Sequence, residues 1–322
     1  MEAKEYKFVV EGFKGSTKET EKKEKTLKIV FSVFSYVFLT IFALIMMFPF
    51  YWMVLTSLKQ EVFDGRFLGL TNEFFISFSN IMRKNYVDVV DPSKFDFLNY
   101  LLNTVIVLVI STIGTLFITI FASFAFARLE FKGKDLTFYI YLMTMMIPSE
   151  LFVITNYISV YRYGLLEDRW GVYFAIMLPF FVNVFYIYLL NENFKQIPNE
   201  LYLASKIDGK SDIKYLFKVM IPIASPTLIT IVILKVISTW NAYAWPKIVT
   251  GTSGMRSEWT LISVGIRDIA NFVYREGDKT FVLQSLQMAA TVLVTIPLVI
   301  IFIVFRKYIM SGTSRAGIKG WF

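Results

Sequence analysis

The sequence predicts an all-α integral membrane protein of about six transmembrane helices with both termini in the cytoplasm. Long uncharged blocks, an overall composition too apolar for water, and a lopsided distribution of Lys and Arg carry that prediction. Hydrophobic residues fill 56% of the 322 positions and aromatic residues 18%. Mean hydropathy is +0.55, above what a water-soluble domain of this length hides in its core.

Taken in order, no charge interrupts 29–58, 97–127, 170–191 or 280–305, and each block exceeds the roughly 20 residues that cross a bilayer. Two further spans are expected over 136–161 and 222–246, each holding one charge, Glu150 and Lys235. All six are read as helices, because lipid offers no partner to a free backbone group and no block alternates in the manner of a barrel strand. Pro49 should kink the first span, and Tyr51 and Trp52 suit its outer interface. Pro148, Pro179, Pro226 and Pro297 allow kinks elsewhere.

With the amino terminus inside, the inner segments hold 20 basic and 12 acidic residues and the outer loops 12 of each. The whole formal charge of +8 then falls on the inner side, which predicts cytoplasmic termini and an even number of spans. The same distribution assigns the basic residues to anionic lipid headgroups and not to nucleic acid. Cysteine and histidine are absent, which removes disulfides, thiolate chemistry, imidazole bases and the commonest zinc ligands. No catalytic, cofactor or metal site is expected. Residues 1–27 form a charged, solvated tail without the apolar core of a cleaved signal, so the first span is expected to act as its own targeting element. The outer loop Gln60–Asp96 is long and rich in Gly, Asn, Pro and aromatic residues, as a small folded cap would be.

The informative inner loop is 192–221, ENFKQIPNELYLASKIDGKSDIKYLFKVMI. Pro198 suits a helix start, Asn199 to Ile207 form a short amphipathic helix, and Asp208-Gly209 breaks it with a turn that favours positive φ. Ser211 and Asp212 then cap a second helix running to Pro222. The product is a helix-turn-helix lying along the membrane surface and shaped to enter a cleft in another protein. Gly209-Lys210-Ser211 imitates the end of a phosphate-binding loop, but Ala204 stands where its first Gly belongs and no strand precedes it.

This loop resembles the signature of the permeases of binding-protein-dependent ABC importers. The matching positions are Leu203-Ala204-Ser205, Gly209 and Val219-Met220-Ile221-Pro222, with the Ile207-Asp208-Gly209 of the carbohydrate-uptake, maltose-permease-like branch. Leu203 and Ser205 depart from the usual Glu and Ala, and Glu200, one turn earlier, is the carboxylate available to replace a salt bridge from position 203. FPFYWMVLTSLK, NTVIVLVIST, FAFARLEFKGK, WNAYAWP and the tail GTSRAGIKG are similar to the same branch.

The resemblance implies a type I ABC importer permease domain over 28–322, with 192–221 as the coupling loop and Glu200, Ala204, Ser205, Ile207, Asp208, Gly209 and Pro222 as its contact residues. It further implies a second permease subunit, a cytoplasmic ATPase dimer that alone binds ATP and Mg, an extracellular solute-binding protein, and residence in the bacterial cytoplasmic membrane. The cargo would be a sugar, an oligosaccharide or a polyol phosphate. Glu150, Lys235, Ser238, Trp240, Asn241 and Tyr243 are the candidate pathway residues, since an aromatic and amide mixture can stack on and hydrogen-bond a sugar. The alternative is an ion-coupled secondary carrier with Lys235 and Glu150 as its relay.

Overall fold

The computed structural model describes the backbone of residues 2–63, 66–70, 74, 83–251 and 258–314, with side chains throughout except at 2–24, 269 and 307–314. Parts of the two long loops and most of the GTSRAGIKG segment therefore lie outside the described residues.

Helix α1 (Glu2–Ser57) joins the charged tail to the first span without a break, with Pro49 inside it. None of its most apolar window is buried within the chain, the exposure expected of a helix bathed in lipid. Beyond it come a two-residue hairpin, β1 (Val62–Phe63) and β2 (Arg66–Phe67), and the short helix α2 (Lys84–Val90). The second span is α3 (Phe97–Arg128).

The third and fourth expected spans are each broken. Helices α4 (Lys134–Met143) and α5 (Val153–Arg162) are joined through 3-10 turns around Pro148, and the two halves meet at 86°. Helices α6 (Arg169–Met177) and α7 (Val184–Lys195) flank a 3-10 turn containing Pro179 and meet at 55°. Proline explains both breaks, because it supplies no N–H and its ring collides with the preceding turn.

After α7 come α8 (Asn199–Ile207), α9 (Asp212–Tyr215), a π-helical turn over Leu216–Met220, and α10 (Ile221–Ile223). A 79° bend leads into α11 (Ser225–Trp240). The span expected over 222–246 is thus corrected at both ends. Pro226 cannot donate to the turn before it, which turns the chain near Ala224. Helix α11 stops at Trp240, and α12 (Ala244–Thr250) carries Pro246 after a break. There the buried Trp245 donates its Nε1–H to the Ala175 carbonyl at 3.1 Å, fixing α12 against α6.

Helix α13 (Ile262–Arg267) and a second hairpin, β3 (Val273–Glu276) with β4 (Lys279–Val282), precede α14 (Gln284–Ser314). The span expected from Thr280 begins at Gln284, because Phe281 is drawn into the hairpin and stacks on Phe67 with centroids 4.2 Å apart. The two hairpins also correct the all-α expectation: the chain is mostly helical, with small β elements in loops where water can satisfy strand edges.

Among the described residues three helices are long and apolar enough to cross a membrane, and up to six spans result if each bent pair counts as one. Packing divides into three clusters. One, around Val89, Phe95, Ile262 and Phe272, supports the cap formed by the loops and hairpins. A second, around Val172, Tyr173, Ile176 and Trp245, fills the middle. The third, around Phe124, Leu190, Phe194, Tyr215 and Met220, roots the α8–α9 arm at the opposite end of α3.

Candidate functional site

The arm is anchored by a charge at a helix end. Arg128, the last residue of α3, donates through Nη2 to the Phe194 carbonyl at 2.9 Å and to the Ile197 carbonyl. These groups close α7, where terminal carbonyls lack helical partners and the helix dipole favours a cation. Pro198 then occupies the N-cap of α8 with extended ψ.

At about 100° of rotation per residue, Ser205 and Tyr202 of α8 point toward the protein. Ser205 is buried and its Oγ donates to the Tyr202 carbonyl at 2.8 Å. The opposite pole carries Glu200, Leu203 and Ile207, spaced i, i+3 and i+7. Leu203 is 53% exposed and Ile207 88%, while Glu200, Ala204, Asp208, Gly209 and Pro222 are also exposed. The arm therefore presents an apolar ridge headed by one carboxylate.

A Schellman turn closes α8. The Gly209 N–H donates to the Lys206 carbonyl at 3.0 Å and the Lys210 N–H to the Ser205 carbonyl at 2.9 Å, with Gly209 at φ +70°. This geometry asks for glycine on backbone grounds, since a Cβ there would meet nothing within 4 Å. Ser211 caps α9 by accepting from the Lys214 N–H. Asp212 accepts from the Tyr202 hydroxyl at 2.8 Å and pairs with Lys206 Nζ at 2.7 Å, and the Tyr202 and Tyr215 rings lie 5.1 Å apart. The hydrogen bond from Lys206, seconded by that from Tyr202, holds the Asp212 carboxyl below the usual carboxylate range. The polar residues of the arm thus satisfy one another and brace α8 against α9, leaving the ridge free. Lys210 pairs with Asp208 at 2.9 Å, and Gly209-Lys210-Ser211 joins two helices, so the phosphate-loop lookalike lacks its strand.

The pathway candidates fall in different places. Lys235 is buried in α11 and donates to the Phe180 carbonyl at 3.2 Å, at the break between α6 and α7. Thr115 of α3 donates to the same oxygen at 3.3 Å. Glu150 lies exposed in the turn after Pro148, beside Ser149, and among the described residues no ion pair joins it to Lys235. Burying the ammonium at a span centre costs at least ~2.5 kcal/mol, and a charged hydrogen bond returns about 1.5–3 kcal/mol. One charged hydrogen bond thus offsets no more than about the smallest value of that cost.

Ser238 and Asn241 are exposed, whereas Trp240 is buried and its indole N–H has no partner among the described residues. Asn241 donates to the Ile237 carbonyl at 2.9 Å. The Tyr243 hydroxyl accepts from Lys247 at 2.9 Å, and the Arg267 guanidinium sits 4.7 Å from the Tyr243 ring centroid. Tyr243 is therefore engaged with cations of the cap, and Ser238 and Asn241 remain open.

Sequence reasoning missed the polar junction at the head of α3. Fully buried Asn103 accepts from Arg169 Nη2 at 2.8 Å and from the Tyr173 hydroxyl, and donates to the Glu258 and Thr260 carbonyls at 2.9 Å each. Arg169 also reaches Asn99 at 2.9 Å and Tyr173 at 2.7 Å. A signal was available: Asn99 and Asn103 share one helical face at the opening of an apolar run, and buried amides demand partners.

These elements define a helical membrane protein with a helix-turn-helix arm rooted between α7 and α11. Residues 114–315 match the family model of the binding-protein-dependent transport system inner membrane component, and the chain belongs to that family. It is 31% identical over 281 residues to the trehalose/maltose transport system permease protein MalG of Thermococcus litoralis, covering 86% of this chain and 93% of that one. The arabinooligosaccharides transport system permease protein AraQ of Halalkalibacterium halodurans is 25% identical over 255 residues, covering 75% and 86% respectively. In fold it is similar to a chain in the crystal structure of a bacterial ABC transporter that imports the acidic polysaccharide alginate, with a TM-score of 0.72, 24% identity, and coverage of 87% of this chain and 96% of that one.

Proposed function

We propose that the chain is the transmembrane permease subunit of an ATP-driven importer in a bacterial cytoplasmic membrane, carrying a sugar, an oligosaccharide or a polyol phosphate inward. It pairs with a second permease subunit, receives cargo from an extracellular solute-binding protein, and binds no nucleotide itself. An ATPase dimer on the cytoplasmic side, holding ATP and Mg, grips the α8–α9 arm. Its closure moves the arm and tilts the spans between outward-open and inward-open states.

The observation that carries this reading is the arm: an internally braced helix-turn-helix that leaves Leu203 and Ile207 in the open. Large apolar residues held rigidly on a projecting helix mark a docking surface. The sugar class rests on the names of relatives covered over most of their length. A proton- or sodium-coupled carrier is disfavoured, because Lys235 and Glu150 do not meet and no relay joins them among the described residues.

The test is affinity purification of the tagged chain in mild detergent with mass spectrometry of its companions, beside the same experiment on a chain lacking residues 199–209. A second permease and an ATPase should accompany the intact chain, and the ATPase should be lost from the deletion. Isolation of the intact chain alone, still transporting on an ion gradient, would overturn the reading.

A further inference from the structure

Both flanks of the arm enter the membrane, and Lys235 is the place where they are tied together again. Helix α7 leads into the arm from one side, and α9 and α10 lead out of it through the 79° bend into α11. Within the membrane α11 places the Lys235 ammonium 3.2 Å from the Phe180 carbonyl, at the break from which α7 departs. Arm, α7 and α11 thus make a closed frame, packed near the arm through Leu190 and Ile231, whose far corner carries this one hydrogen bond.

The broken segment has the properties of a hinge. Asn183 caps α7 by accepting from the Tyr186 N–H at 3.1 Å, so α7 begins as a helix in its own right and does not depend on α6. The Phe181 ring lies against Gly114 of α3, where a Cβ would come within 2.5 Å of it, so α3 offers the break a bare backbone with no side chain to snag it. Thr115 already supplies a neutral donor to Phe180, so satisfying that carbonyl does not by itself require a buried charge. Among the described residues the ammonium, with three donors, has this single acceptor. A contact that offsets its burial cost no more than in part is suited to being made in one state and released in another.

We propose that Lys235 is a positioning residue: its ammonium on α11 grips the carbonyl opened by the α6–α7 break, so that displacement of the arm is passed to a hinge at residues 178–183. Its role in transport is to set the angle of the fourth span, not to bind the solute. The uptake part of this proposal rests on the importer reading, while the hinge itself is a property of the chain.

The experiment exploits the absence of cysteine. Phe174→Cys on α6 and Tyr188→Cys on α7, both exposed, take a spin-label pair across the break in the assembled transporter, and interlabel distances are measured with and without ATP. With Lys235 present, the nucleotide-free distribution should be narrow and should shift with ATP. In Lys235→Met it should widen and lose that shift, with ATP-driven uptake falling about tenfold in kcat at unchanged KM, and Lys235→Arg should restore both. Should Lys235→Met fail to assemble, Lys235→Gln takes its place, with an intermediate widening expected.

An unaltered distribution in the variant would overturn the proposal. So would a raised KM with the ATP-dependent shift preserved, which would make Lys235 a solute contact. A general loss of packing would move thermal stability without restoration by Arg, which also counts against the latch. If the complex proved not to be an importer, the distance measurement on the purified chain would still decide the hinge.

Discussion

Replacing Gly209 separates the shape of the arm from its chemistry, because the position touches nothing. With φ at +70° and open space where a methyl would be added, Gly209→Ala brings no clash and costs only the left-handed penalty, about 1–2 kcal/mol. That lowers the population of the native turn by roughly 5–30-fold. Gly209→Asn adopts this conformation more readily and should lose little. Gly209→Pro loses both the φ value and the N–H that donates to the Lys206 carbonyl at 3.0 Å, at a cost of about 3 kcal/mol or more. Transport by proteoliposomes loaded with internal ATP and the partner subunits should therefore fall in the order Asn, Ala, Pro, while insertion stays constant. Hydrogen exchange at residues 206–212 should rise in the same order. Equal activity in the Pro variant, with the turn shown to be unprotected, would refute the claim that the arm must hold this shape.

Three further outcomes follow from the geometry. Asn103→Leu takes the acceptor from the Tyr173 hydroxyl and the donor from the Thr260 carbonyl in a buried site, with Arg169 and the Glu258 carbonyl falling back on Asn99, and should cost about 1–3 kcal/mol, seen as a fall in Tm in detergent, whereas Asn99→Ala at a half-buried position should cost less. Gly114→Ala drives a methyl to 2.5 Å from the Phe181 ring and should cost about 1–3 kcal/mol by overpacking, with Phe181→Leu in the same chain recovering most of the Tm. The folded Asp212 carboxyl is depressed, so its contribution is fully present above the unfolded value of about 3.9 and is lost as pH falls through the lower folded value. Proteolytic protection of the arm should accordingly be flat from about pH 5 to 8 and decline only below about pH 4; a decline centred near neutrality would show that Asp212 does not brace it.

Hydropathy pointed to apolar helices, three of which are long enough to cross a membrane among the described residues, because lipid imposes one rule on every residue of a span. The helical arm was legible for a different reason: Pro198, Gly209 and Ser211 each answer a local backbone requirement, and such requirements are written within a few residues. What local sequence could not convey is how a proline is resolved. Pro49 and Pro297 lie inside continuous helices, while Pro148 and Pro179 sit at breaks of 86° and 55°. At Pro179 the difference is visible in the surroundings, since Thr115 and Lys235, distant in sequence, take up the opened carbonyl of Phe180. The partner that Lys235 does have among the described residues, the Phe180 carbonyl, was illegible for the same reason: a backbone carbonyl carries no mark in a sequence. The hairpins escaped notice because a two-residue strand such as Val62–Phe63 is too short to show alternation, and its partner's support comes from the second hairpin through Phe67 and Phe281.

The distribution of polar contacts along α3 shows why this chain can be stiff at both ends and adjustable between them. At the cap end Asn103 is fixed by four hydrogen bonds, two of them to carbonyls of the loop before α13 and one from a guanidinium. At the arm end Arg128 clasps two carbonyls that close α7. Between them, Ser123 donates to the Ile187 carbonyl of α7 at 2.9 Å within the Phe124–Leu190 cluster, whereas the α6–α7 break itself meets α3 through the Thr115 hydroxyl and the bare backbone of Gly114. Charge-assisted and multiply bonded contacts resist displacement, while a single neutral bond beside a smooth surface does not. Motion imposed on the arm through α7 would therefore leave the two ends of α3 attached and be absorbed at residues 178–183, where the backbone has already given up its helical bonds.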